Sequence, residues 1–382
     1  MKIFIYHPVS HPVVERRVTV LSKELSNKFN MEIFGPAAGR IKSKFSILIE
    51  IFYIFRILCS EKGIVHAVDF TLPFSLSAPI IKLRGHKIVY DTGNIHSETW
   101  KILGKNPLFV KVAYFLERSL ALRSNCVVSR GHFLIKYLEQ FGVPSKNILF
   151  IPDPVDVNGL HDLDKYESRI KLKLKTSSFI IGYAAKFEII DIPNVGKLPR
   201  GWEIISILEK FREMGIRDVV GLFIGSGDGL AALKELSNSK DLNGMCVFSG
   251  FVTEEVYRNL INSIDVGFME DYDLPAYKTS IGAKVQDYMA SGKAVVTGRG
   301  EERDYLLHSQ KEFDLLFSPL ICSNQSNVET YLSQILEKLQ YIRMNKQLLS
   351  RIGMANTKRA ETIFSNSSVI DSFNQMYRSM QI

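Results

Sequence analysis

Strand-like and helix-like segments alternate along almost the whole of this 382-residue chain. The first series begins with an apolar strand at Lys2–Tyr6 and ends with another at Ile148–Ile151. The second begins at Phe179–Ala184, continues through Val219–Ile224, and ends with the helical pattern Ser367–Met380. Such alternation predicts an α/β fold, because parallel strands are joined by crossover helices that cover both faces of a sheet. We therefore expect two doubly wound domains facing a central cleft, with ligands beyond the carboxyl ends of the strands.

A change in composition separates the two series. The segment Pro152-Asp-Pro-Val-Asp156 is rich in turn-forming residues, and residues 158–178 are polar and charged. We predict a first domain over 1–157, a linker over 158–178, a second domain over 179–364 and a final helical segment over 365–382. The length of the chain also favours two domains over one.

Net charge differs between the two parts of the chain. Residues 1–150 hold 21 Lys and Arg against 10 Asp and Glu, whereas the remainder holds 27 basic and 30 acidic residues. A basic first part predicts an anionic partner. Because the sequence contains no nucleic-acid-binding motif, an anionic membrane surface is favoured over nucleic acid.

The overall composition is that of an ordinary globular protein, with 46% hydrophobic and 23% charged residues. The sequence has no apolar run long enough to span a bilayer and no recognisable signal peptide. Its four cysteines are scattered, which favours a reducing, cytoplasmic setting.

One predicted helix, Phe45–Leu58, is apolar on nearly every face. Lys42, Lys44 and Arg56 flank or interrupt it. Such a helix either packs between other helices or lies partly immersed in a bilayer interface beside basic residues. The pattern alone leaves both interpretations open.

A segment of the second half combines a cation, an acid and a helix stop. Lys284 and Asp287 are three positions apart on a predicted helix that ends at Gly292, before the apolar strand Ala294–Thr297. A lysine near a helix N-terminus can bind phosphate, and a carboxylate one turn further on can accept hydrogen bonds from a ribose diol. The alternative is an ordinary surface ion pair.

Two more cations border a loop in the second half. Lys186 follows the strand Phe179–Ala184, and Arg200 precedes a helix that begins at Trp202. Cations at a helix N-terminus oppose its dipole unless an anion binds there, so the pair predicts a phosphate site. Solvated surface cations are the alternative. A glycine-rich turn, Gly225-Ser-Gly-Asp-Gly229, either contacts phosphate or supplies the backbone conformation of a tight turn.

Polar residues also follow a predicted strand of the first half. The loop Tyr90–Glu98 contains Asp91 and His96 at the strand end that usually serves a ligand. His96 could hydrogen-bond a sugar hydroxyl or a reacting oxygen, or it could be incidental. The loop His7–Pro12 lacks a GxGxxG pattern, which argues against a dinucleotide-dependent oxidoreductase. The sequence shows no HExxH motif, no Cys/His cluster and no P-loop, so we expect no metal site.

Several short motifs occur in the order and spacing of a known family. The first half contains Glu15-Arg-Arg-Val18, Ile64-Val-His-Ala67, Val89-Tyr-Asp91, Glu117-Arg118, Val127-Val-Ser129, Ile148-Leu-Phe-Ile-Pro152 and Val155-Asp156. The second half contains Phe223-Ile-Gly-Ser-Gly227, Phe248-Ser-Gly-Phe-Val252, Asp265-Val266 and Asp287-Tyr-Met-Ala-Ser-Gly-Lys-Ala-Val-Val296. In these motifs the chain resembles the glycosyltransferase family 4 enzymes over nearly its full length. The resemblance implies two Rossmann-like domains in the GT-B arrangement.

The resemblance also implies transfer of a sugar from a nucleotide-diphosphate sugar to an acceptor, with retention of configuration and without a metal or cofactor. A UDP-sugar is favoured as donor and a GDP-sugar is the alternative. The residues expected to bind the donor are Lys186, Arg200, Gly225, Gly227, Val252, Ser280, Ile281, Gly282, Ala283, Lys284 and Asp287. The candidate catalytic residues are His96, Lys186 and Lys284. The residues expected to bind the acceptor are His7, His11, Arg17, Asn94 and His96.

The basic first half and the apolar helix suggest an acceptor at a membrane. We expect a lipid-linked or surface-polysaccharide precursor at the cytoplasmic face, with the enzyme cytoplasmic or peripheral on that membrane. In similar proteins the C-terminal helix crosses back to the first domain, and the same is expected of residues 365–382.

Three features depart from the family pattern. Thr279 lies eight positions before Asp287, where the E-x7-E pair of the family has its first carboxylate. The loop between Lys186 and Arg200 is longer than usual. Gly93-Asn94 follows the Tyr-Asp strand directly, where the family often has a histidine. Two alternatives therefore stay open: a GT-B enzyme resembling a nucleotide-sugar epimerase, and a non-catalytic GT-B scaffold or binding subunit.

Overall fold

The computed structural model describes residues 2–7, 12–35, 46–102, 105–273, 277–278, 282–320 and 327–380. The chain forms two compact units. Unit 1 consists of Met1–Pro154, Lys278–Ser280 and Ile363–Ile382, and unit 2 of Val155–Tyr277 and Ile281–Thr362. The C-terminal segment thus belongs to the same unit as the first strand.

Unit 1 is built on a parallel sheet of six strands. The strands are β1 (Lys2–Tyr6), β2 (Asn30–Phe34), β3 (Gly63–Val68), β4 (Lys87–Thr92), β5 (Cys126–Ser129) and β6 (Ile148–Phe150). The helices between them are α1 (Pro12–Leu25), α2 (Ser46–Leu58), α3 (Leu72–Leu83), α4 (His96–Ile102), α5 (Pro107–Arg123) and α6 (Leu134–Gln140). The order across the sheet is β2-β1-β3-β4-β5-β6.

Unit 2 is also built on a parallel sheet of six strands. Its elements begin with α7 (Val157–His161), α8 (Lys165–Lys171), β7 (Phe179–Ala184), β8 (Ile189–Ile192), β9 (Gly196–Pro199), α9 (Trp202–Glu213) and β10 (Val219–Ile224). They continue with α10 (Leu230–Ser239), β11 (Cys246–Gly250), α11 (Glu254–Ser263), β12 (Val266–Met269), α12 (Ala283–Ala290), β13 (Ala294–Gly298) and α13 (Glu301–Leu306). They end with β14 (Leu316–Phe317), α14 (Asn327–Met344) and α15 (Lys346–Ile363), and the sheet order is β11-β10-β7-β12-β13-β14. Two doubly wound α/β domains were predicted, and this fold class is confirmed.

Helices cover both faces of the sheet in unit 1. On β1, Ile3 and Ile5 pack in one core with α1, while Phe4 and Tyr6 pack in a second core with α2 and α3. This division follows from the two-residue period of a strand, and it makes the strand apolar throughout. The last helix, α16 (Asn366–Ser379), packs in the α1 core through residues that include Phe373.

Two predicted irregular segments contain regular structure. The loop between Lys186 and Arg200 holds the antiparallel hairpin of β8 and β9, whose turn places Asn194 at a φ of 60°. The predicted linker, 158–178, holds α7 in part and α8 in full. The buried guanidinium of Arg169 donates to the carbonyl of Ser263 at 2.7 Å and to Asp265 at 2.6 Å. These bonds fix α8 to unit 2.

The outer helical layer of unit 1, formed by α2, α3 and α5, carries large apolar side chains at its surface. The three helices share one core on one face of the sheet. Among the described residues, those exposed on them are Ile47, Leu48, Ile51, Phe52, Phe55, Leu76, Ile80, Leu83, Leu108, Phe109, Val112, Phe115 and Leu122. The helix predicted over Phe45–Leu58 therefore has an exposed apolar face rather than helices on every side. None of the helices described is both long and apolar enough to cross a membrane.

Candidate functional site

Two cations of unit 2 meet on one buried carboxylate. Glu270 follows β12 directly, and β12 pairs with β7, so the polar residues after both strands lie at one edge of the sheet. The ammonium nitrogen of Lys284, in the first turn of α12, is 3.2 Å from Glu270 Oε2. The Nε of Arg200, just before α9, is 3.4 Å from Glu270 Oε1. We call Arg200, Glu270 and Lys284 the cation cluster.

Tyrosines complete the surroundings of the cation cluster. The hydroxyl of Tyr183, on β7, donates to Glu270 Oε2 at 2.6 Å, and the ring of Tyr183 lies 4.2 Å from the Lys284 nitrogen. Arg200 Nη2 donates to the hydroxyl oxygen of Tyr277 at 3.4 Å. The cations are thus oriented by groups from β7, β12 and the segment after β12.

Burial and charge act against each other in this cluster. Burial raises the pKa of Glu270, but Lys284 and Arg200 more than offset it, and the resulting pKa is below the ordinary value. Burial lowers the pKa of Lys284, and the charge of Glu270 opposes that shift only in part. Glu188 also lies 3.7 Å from Arg200 Nη1 and pairs with Lys186. Three cations thus face two carboxylates, and the one positive charge in excess suits the cluster for an anionic ligand.

A second buried carboxyl group lies beside the cluster. Glu203, in the first turn of α9, is fully buried and accepts a hydrogen bond from Tyr272. Its Oε2 has no hydrogen-bond partner among the described residues. Burial, reinforced by the charge of Glu270, raises the pKa of Glu203 to about 8. At neutral pH Glu203 is therefore a neutral acid and does not cancel the excess positive charge.

Lys186 lies at the rim of this region. Its side chain is 73% exposed and pairs with Glu188. Its carbonyl accepts a hydrogen bond of 3.4 Å from Arg200 Nη1. Because exposed ion pairs are weak, a ligand could recruit the Lys186 ammonium group at small cost.

The predicted pair Lys284 and Asp287 has separate partners. Asp287 is buried, and its Oδ2 accepts a 2.7 Å hydrogen bond from the hydroxyl of Tyr257. Gly282 is the N-cap residue of α12 and has a φ of 69°, a conformation that residues with side chains rarely adopt. Ala283 is the first residue of the helix. Ser280 and Ile281 lie outside the described residues.

The glycine-rich turn packs against the backbone that leads to Lys186. A Cβ built on Gly225 would lie 2.0 Å from the carbonyl oxygen of Ala185, and one on Gly227 would lie 1.9 Å from that of Phe187. Both glycines are therefore required by close backbone packing. Val252, two residues beyond β11, is half-buried.

Unit 1 has its own buried charge cluster at the ends of β3 and β4. Asp91 accepts hydrogen bonds from Arg17 Nε at 2.7 Å and from Arg130 Nε at 2.9 Å. Its Oδ2 also lies 3.0 Å from His66 Nε2. The other nitrogen of His66 is 2.5 Å from the hydroxyl of Tyr377 on α16. We call this network the Asp91 cluster.

Arg17 is a structural member of the Asp91 cluster. It has no exposed surface, and its guanidinium also donates to the carbonyls of Pro152 at 2.6 Å and Ile151 at 3.0 Å. Its guanidinium carbon lies 4.8 Å from the ring of Phe373. An acceptor would have to break these bonds to reach the guanidinium, so the structure does not favour Arg17 as an acceptor-binding residue.

His96 is held at the start of α4 by a buried acid. Glu117, on α5, accepts hydrogen bonds from the backbone N–H groups of His96 at 2.9 Å and Ser97 at 3.0 Å. Such a carboxylate satisfies helix N–H groups that otherwise have no partner. The His96 Nε2 accepts from the backbone N–H of Phe70 at 3.4 Å and lies 3.8 Å from Asp69 Oδ1. The imidazole is half-buried.

The other predicted acceptor residues lie in different settings. Asn94 is half-buried, and its Oδ1 has no hydrogen-bond partner among the described residues. His7 follows β1 and is buried, and burial lowers its pKa although Glu15 opposes the shift. His11 lies outside the described residues.

Sequence reasoning missed Glu270, Glu203, Tyr183 and Tyr277. A signal for Glu270 was present, because an acid directly after a buried strand is the pattern that drew attention to Asp91. Glu203 carried no such signal, since an acid in the first turn of a helix is common on surfaces. Within the described residues, no group of three or more His, Cys, Asp or Glu side chains could hold a metal ion.

No protein-family model and no curated protein sequence matches this chain. Among solved structures, it is similar to HepE of Anabaena in complex with UDP-glucose, with a TM-score of 0.76, 14% identity and coverage of 99% of this chain and 100% of that one. It is also similar to sucrose-phosphate synthase of Thermosynechococcus elongatus, with a TM-score of 0.74, 12% identity and coverage of 100% and 99%. It is similar, too, to the catalytic domain of starch synthase IV from Arabidopsis thaliana, bound to ADP and acarbose. The TM-score is 0.67 and the identity 10%, with coverage of 99% of this chain and 98% of that one. The chain therefore has the fold of the GT-B glycosyltransferases.

Proposed function

We propose that this protein is a nucleotide-sugar-dependent glycosyltransferase of the family 4 type. The observation that carries the proposal is the cation cluster, in which Arg200 and Lys284 converge at the carboxyl ends of β7 and β12 with one positive charge in excess. In doubly wound sheets this edge is where ligands bind. The similarity to HepE, solved with UDP and with UDP-glucose, supports a UDP-sugar as donor, with a GDP-sugar as the alternative.

In the proposed donor site, Arg200 and Lys284 bind the diphosphate and Lys186 joins them from the rim. The backbone N–H groups of Gly282, Ala283 and Lys284, at the start of α12, cradle the phosphates. Asp287 accepts hydrogen bonds from the ribose hydroxyls, and Gly225 and Gly227 belong to the same proposed donor set. Val252 completes the donor set.

The proposed sugar transfer depends on stabilising the negative charge that develops on the departing diphosphate. Bond cleavage between the sugar and the diphosphate builds negative charge on the phosphate oxygens, and Lys186 and Lys284 stabilise it. This requires neither a metal nor a cofactor and is compatible with retention. His96 acts on the acceptor or the reacting sugar, and His7, His11 and Asn94 bind the acceptor in unit 1.

The donor proposal is tested by thermal unfolding of the full chain against UDP-, GDP-, ADP- and dTDP-sugars, with NADH as control. A ligand that binds the native state raises the melting temperature by mass action. A rise with one nucleotide family supports the donor site and identifies the base. No rise with any nucleotide sugar would contradict the proposal and favour a non-catalytic scaffold.

We further propose that the enzyme is cytoplasmic and peripheral on an anionic membrane, where it meets a lipid-linked acceptor. The outer layer of α2, α3 and α5 supports this, because it combines exposed apolar side chains with exposed cations. Within the described part of 46–123, the charged side chains classed as exposed are Arg56, Lys62, Lys82, Arg84, Lys101, Lys105, Lys111, Arg118 and Arg123 against the single acid Glu61. Apolar burial and attraction to anionic lipid act together on such a surface.

Vesicle flotation tests the membrane proposal. We expect the full chain to float with phosphatidylcholine vesicles that contain phosphatidylglycerol, less with pure phosphatidylcholine, and less as salt rises. Binding that ignores lipid charge and salt would contradict the electrostatic part. Absence of binding at low salt would contradict the membrane proposal as a whole.

A further inference from the structure

Glu270 engages the groups that the diphosphate requires. The Lys284 ammonium donates to Oε2 at 3.2 Å, and Arg200 Nε lies 3.4 Å from Oε1 in an ion pair without hydrogen-bond geometry. Under the proposed function, on which this inference rests, the same two groups bind the phosphates. A diphosphate and an ionised Glu270 would therefore compete for one pair of cations.

Glu270 is fixed in place and cannot move away from the two cations when a diphosphate binds. Glu270 is 3% exposed and follows the central strand β12 without an intervening residue. The hydroxyl of Tyr183, itself fully buried, holds Oε2 at 2.6 Å. A phosphate at the two cations would place a second anion beside a buried one, which strongly disfavours ionisation of the weaker acid.

The groups around Glu270 allow it to become neutral. Those that face it or act on it electrostatically are Tyr183 on β7, Arg200 before α9, Glu203 on α9, Tyr272 and Tyr277 after β12, Lys284 and Tyr288 on α12, and Tyr331 on α14. The two cations contribute most to its charged form, hydrogen bonds from Tyr183 and from the backbone add to them, and burial opposes it. A diphosphate that pairs with the cations therefore removes the larger part of what keeps Glu270 ionised. Glu203, buried in the same surroundings without a cation at hydrogen-bond distance, already shows a raised pKa.

We propose that Glu270 is an exchangeable counter-anion of the donor site: it holds Arg200 and Lys284 in place, and it takes up a proton when the diphosphate pairs with them. Donor binding is then coupled to the uptake of one proton. Affinity falls with rising pH, by up to about tenfold per pH unit where uptake is complete. Glu270 thus sets how tightly the site holds a diphosphate at a given pH.

Calorimetry of UDP-glucose binding to the full chain, in buffers of different ionisation enthalpy, tests this proposal. UDP-glucose is suitable because each of its phosphates carries one ester and one anhydride linkage and therefore does not titrate near neutral pH. GDP-mannose and ADP-glucose extend the test to other bases. We expect the wild type to take up close to one proton at pH 7.5, and its affinity to fall between pH 6 and 8. Glu270→Gln should take up none and bind more tightly than the wild type at pH 8.

Glu203→Gln is the matched control, because it removes the other buried titratable carboxyl group of this region. Uptake that persists in this variant assigns the proton to Glu270, whereas uptake lost here and kept in Glu270→Gln would overturn the proposal. Binding by the wild type without proton uptake would overturn it and leave the proposed function standing. If none of the three nucleotide sugars binds the wild type or Glu270→Gln, both fail. The wild-type measurement decides the question even if Glu270→Gln does not fold.

Discussion

The two units place buried charge at the same position of the same fold, but the balance of charge differs. In unit 1, Arg17 and Arg130 meet Asp91, with Asp69 at 3.0 Å and Asp153 at 3.8 Å from Arg130. In unit 2, Arg200 and Lys284 share Glu270. The first cluster has more acid than base and ties strand ends and α16 together. The second has an excess cation, so only the second is suited to an anionic ligand.

Disrupting the Asp91 cluster should therefore lower the free energy of unfolding. Burial raises the pKa of Asp91, but Arg17 and Arg130 overcome this and hold it far below the ordinary value. We expect Asp91→Asn to lower the free energy of unfolding by about 3–5 kcal/mol, because it leaves two buried arginines without their counter-charge. Urea unfolding at pH 7 measures this.

Asp314→Asn is the control for that measurement. Asp314 pairs with Arg299 and with Lys338 at the surface, where removal should cost no more than about 1 kcal/mol. Since the pKa of Asp91 is lowered by folding, its contribution is present above pH ~4 and is lost as pH falls below that value. Equal losses in the two variants would show that the Asp91 cluster is not the structural one.

Disrupting the cation cluster should instead weaken nucleotide-sugar binding. Arg200→Ala removes a cation from a region with positive charge in excess, so we expect a small change in stability. We expect nucleotide-sugar binding to weaken by about 2 kcal/mol, as for a lost charge-assisted hydrogen bond. Arg343→Ala, which removes an arginine paired with Asp218 on the surface of unit 2, should leave affinity unchanged. Calorimetric titration with the best nucleotide sugar compares them, and equal affinities would contradict the site.

The strands could be predicted closely from the sequence. β1, β7 and β10 occupy the predicted residues because strands buried on both faces appear as continuous apolar runs. The hairpin of β8 and β9 was predicted as a loop, since its short, mostly exposed strands have no such pattern. The sequence predicts a strand or helix reliably only where burial gives its apolar residues a regular pattern.

Most of the donor candidates could be proposed from sequence, but their partners could not. Arg200 and Lys284 were singled out by their places at helix starts, while Glu270 lies 70 and 14 positions away from them. The convergence of these three groups results from strand order, which brings the ends of β7 and β12 together. Arg17 shows the reverse case, because nothing local in α1 indicates that its guanidinium is buried.

The neutral acid beside the cation cluster distinguishes the two units further. Glu203 has a pKa of about 8 in the folded protein against about 4.5 unfolded, so the folded state binds the extra proton and loses stability as pH rises through that window. We expect the stability of Glu203→Gln relative to the wild type to rise between pH 5 and pH 8, by up to about 3 kcal/mol for a pKa shift of this size. Denaturant unfolding at both pH values measures it. A constant difference would mean that Glu203 is ionised throughout.

The outer surfaces of the two units differ as well. The exposed large apolar residues of unit 2, among those described, are spread over several elements, whereas thirteen of unit 1 lie on α2, α3 and α5. Phe52 and Phe55, on α2, are 56% and 62% exposed. Because they are already in contact with water, the double variant Phe52→Ser/Phe55→Ser should change the free energy of unfolding by no more than about 0.5 kcal/mol.

The same double variant should nevertheless bind anionic vesicles much less than the wild type, since a membrane would bury both rings. Met344→Ser/Met354→Ser, on α14 and α15 of unit 2, removes two side chains that are 75% and 65% exposed and serves as the control. Flotation of the three proteins at low salt, with unfolding measured in parallel, separates docking from stability. Equal flotation by both double variants would mean that the apolar layer of unit 1 is not the docking surface. Loss of flotation only in the α2 variant would show that the apolar layer of unit 1 binds the membrane. The cation cluster of unit 2 would then remain the proposed binding site of the soluble donor.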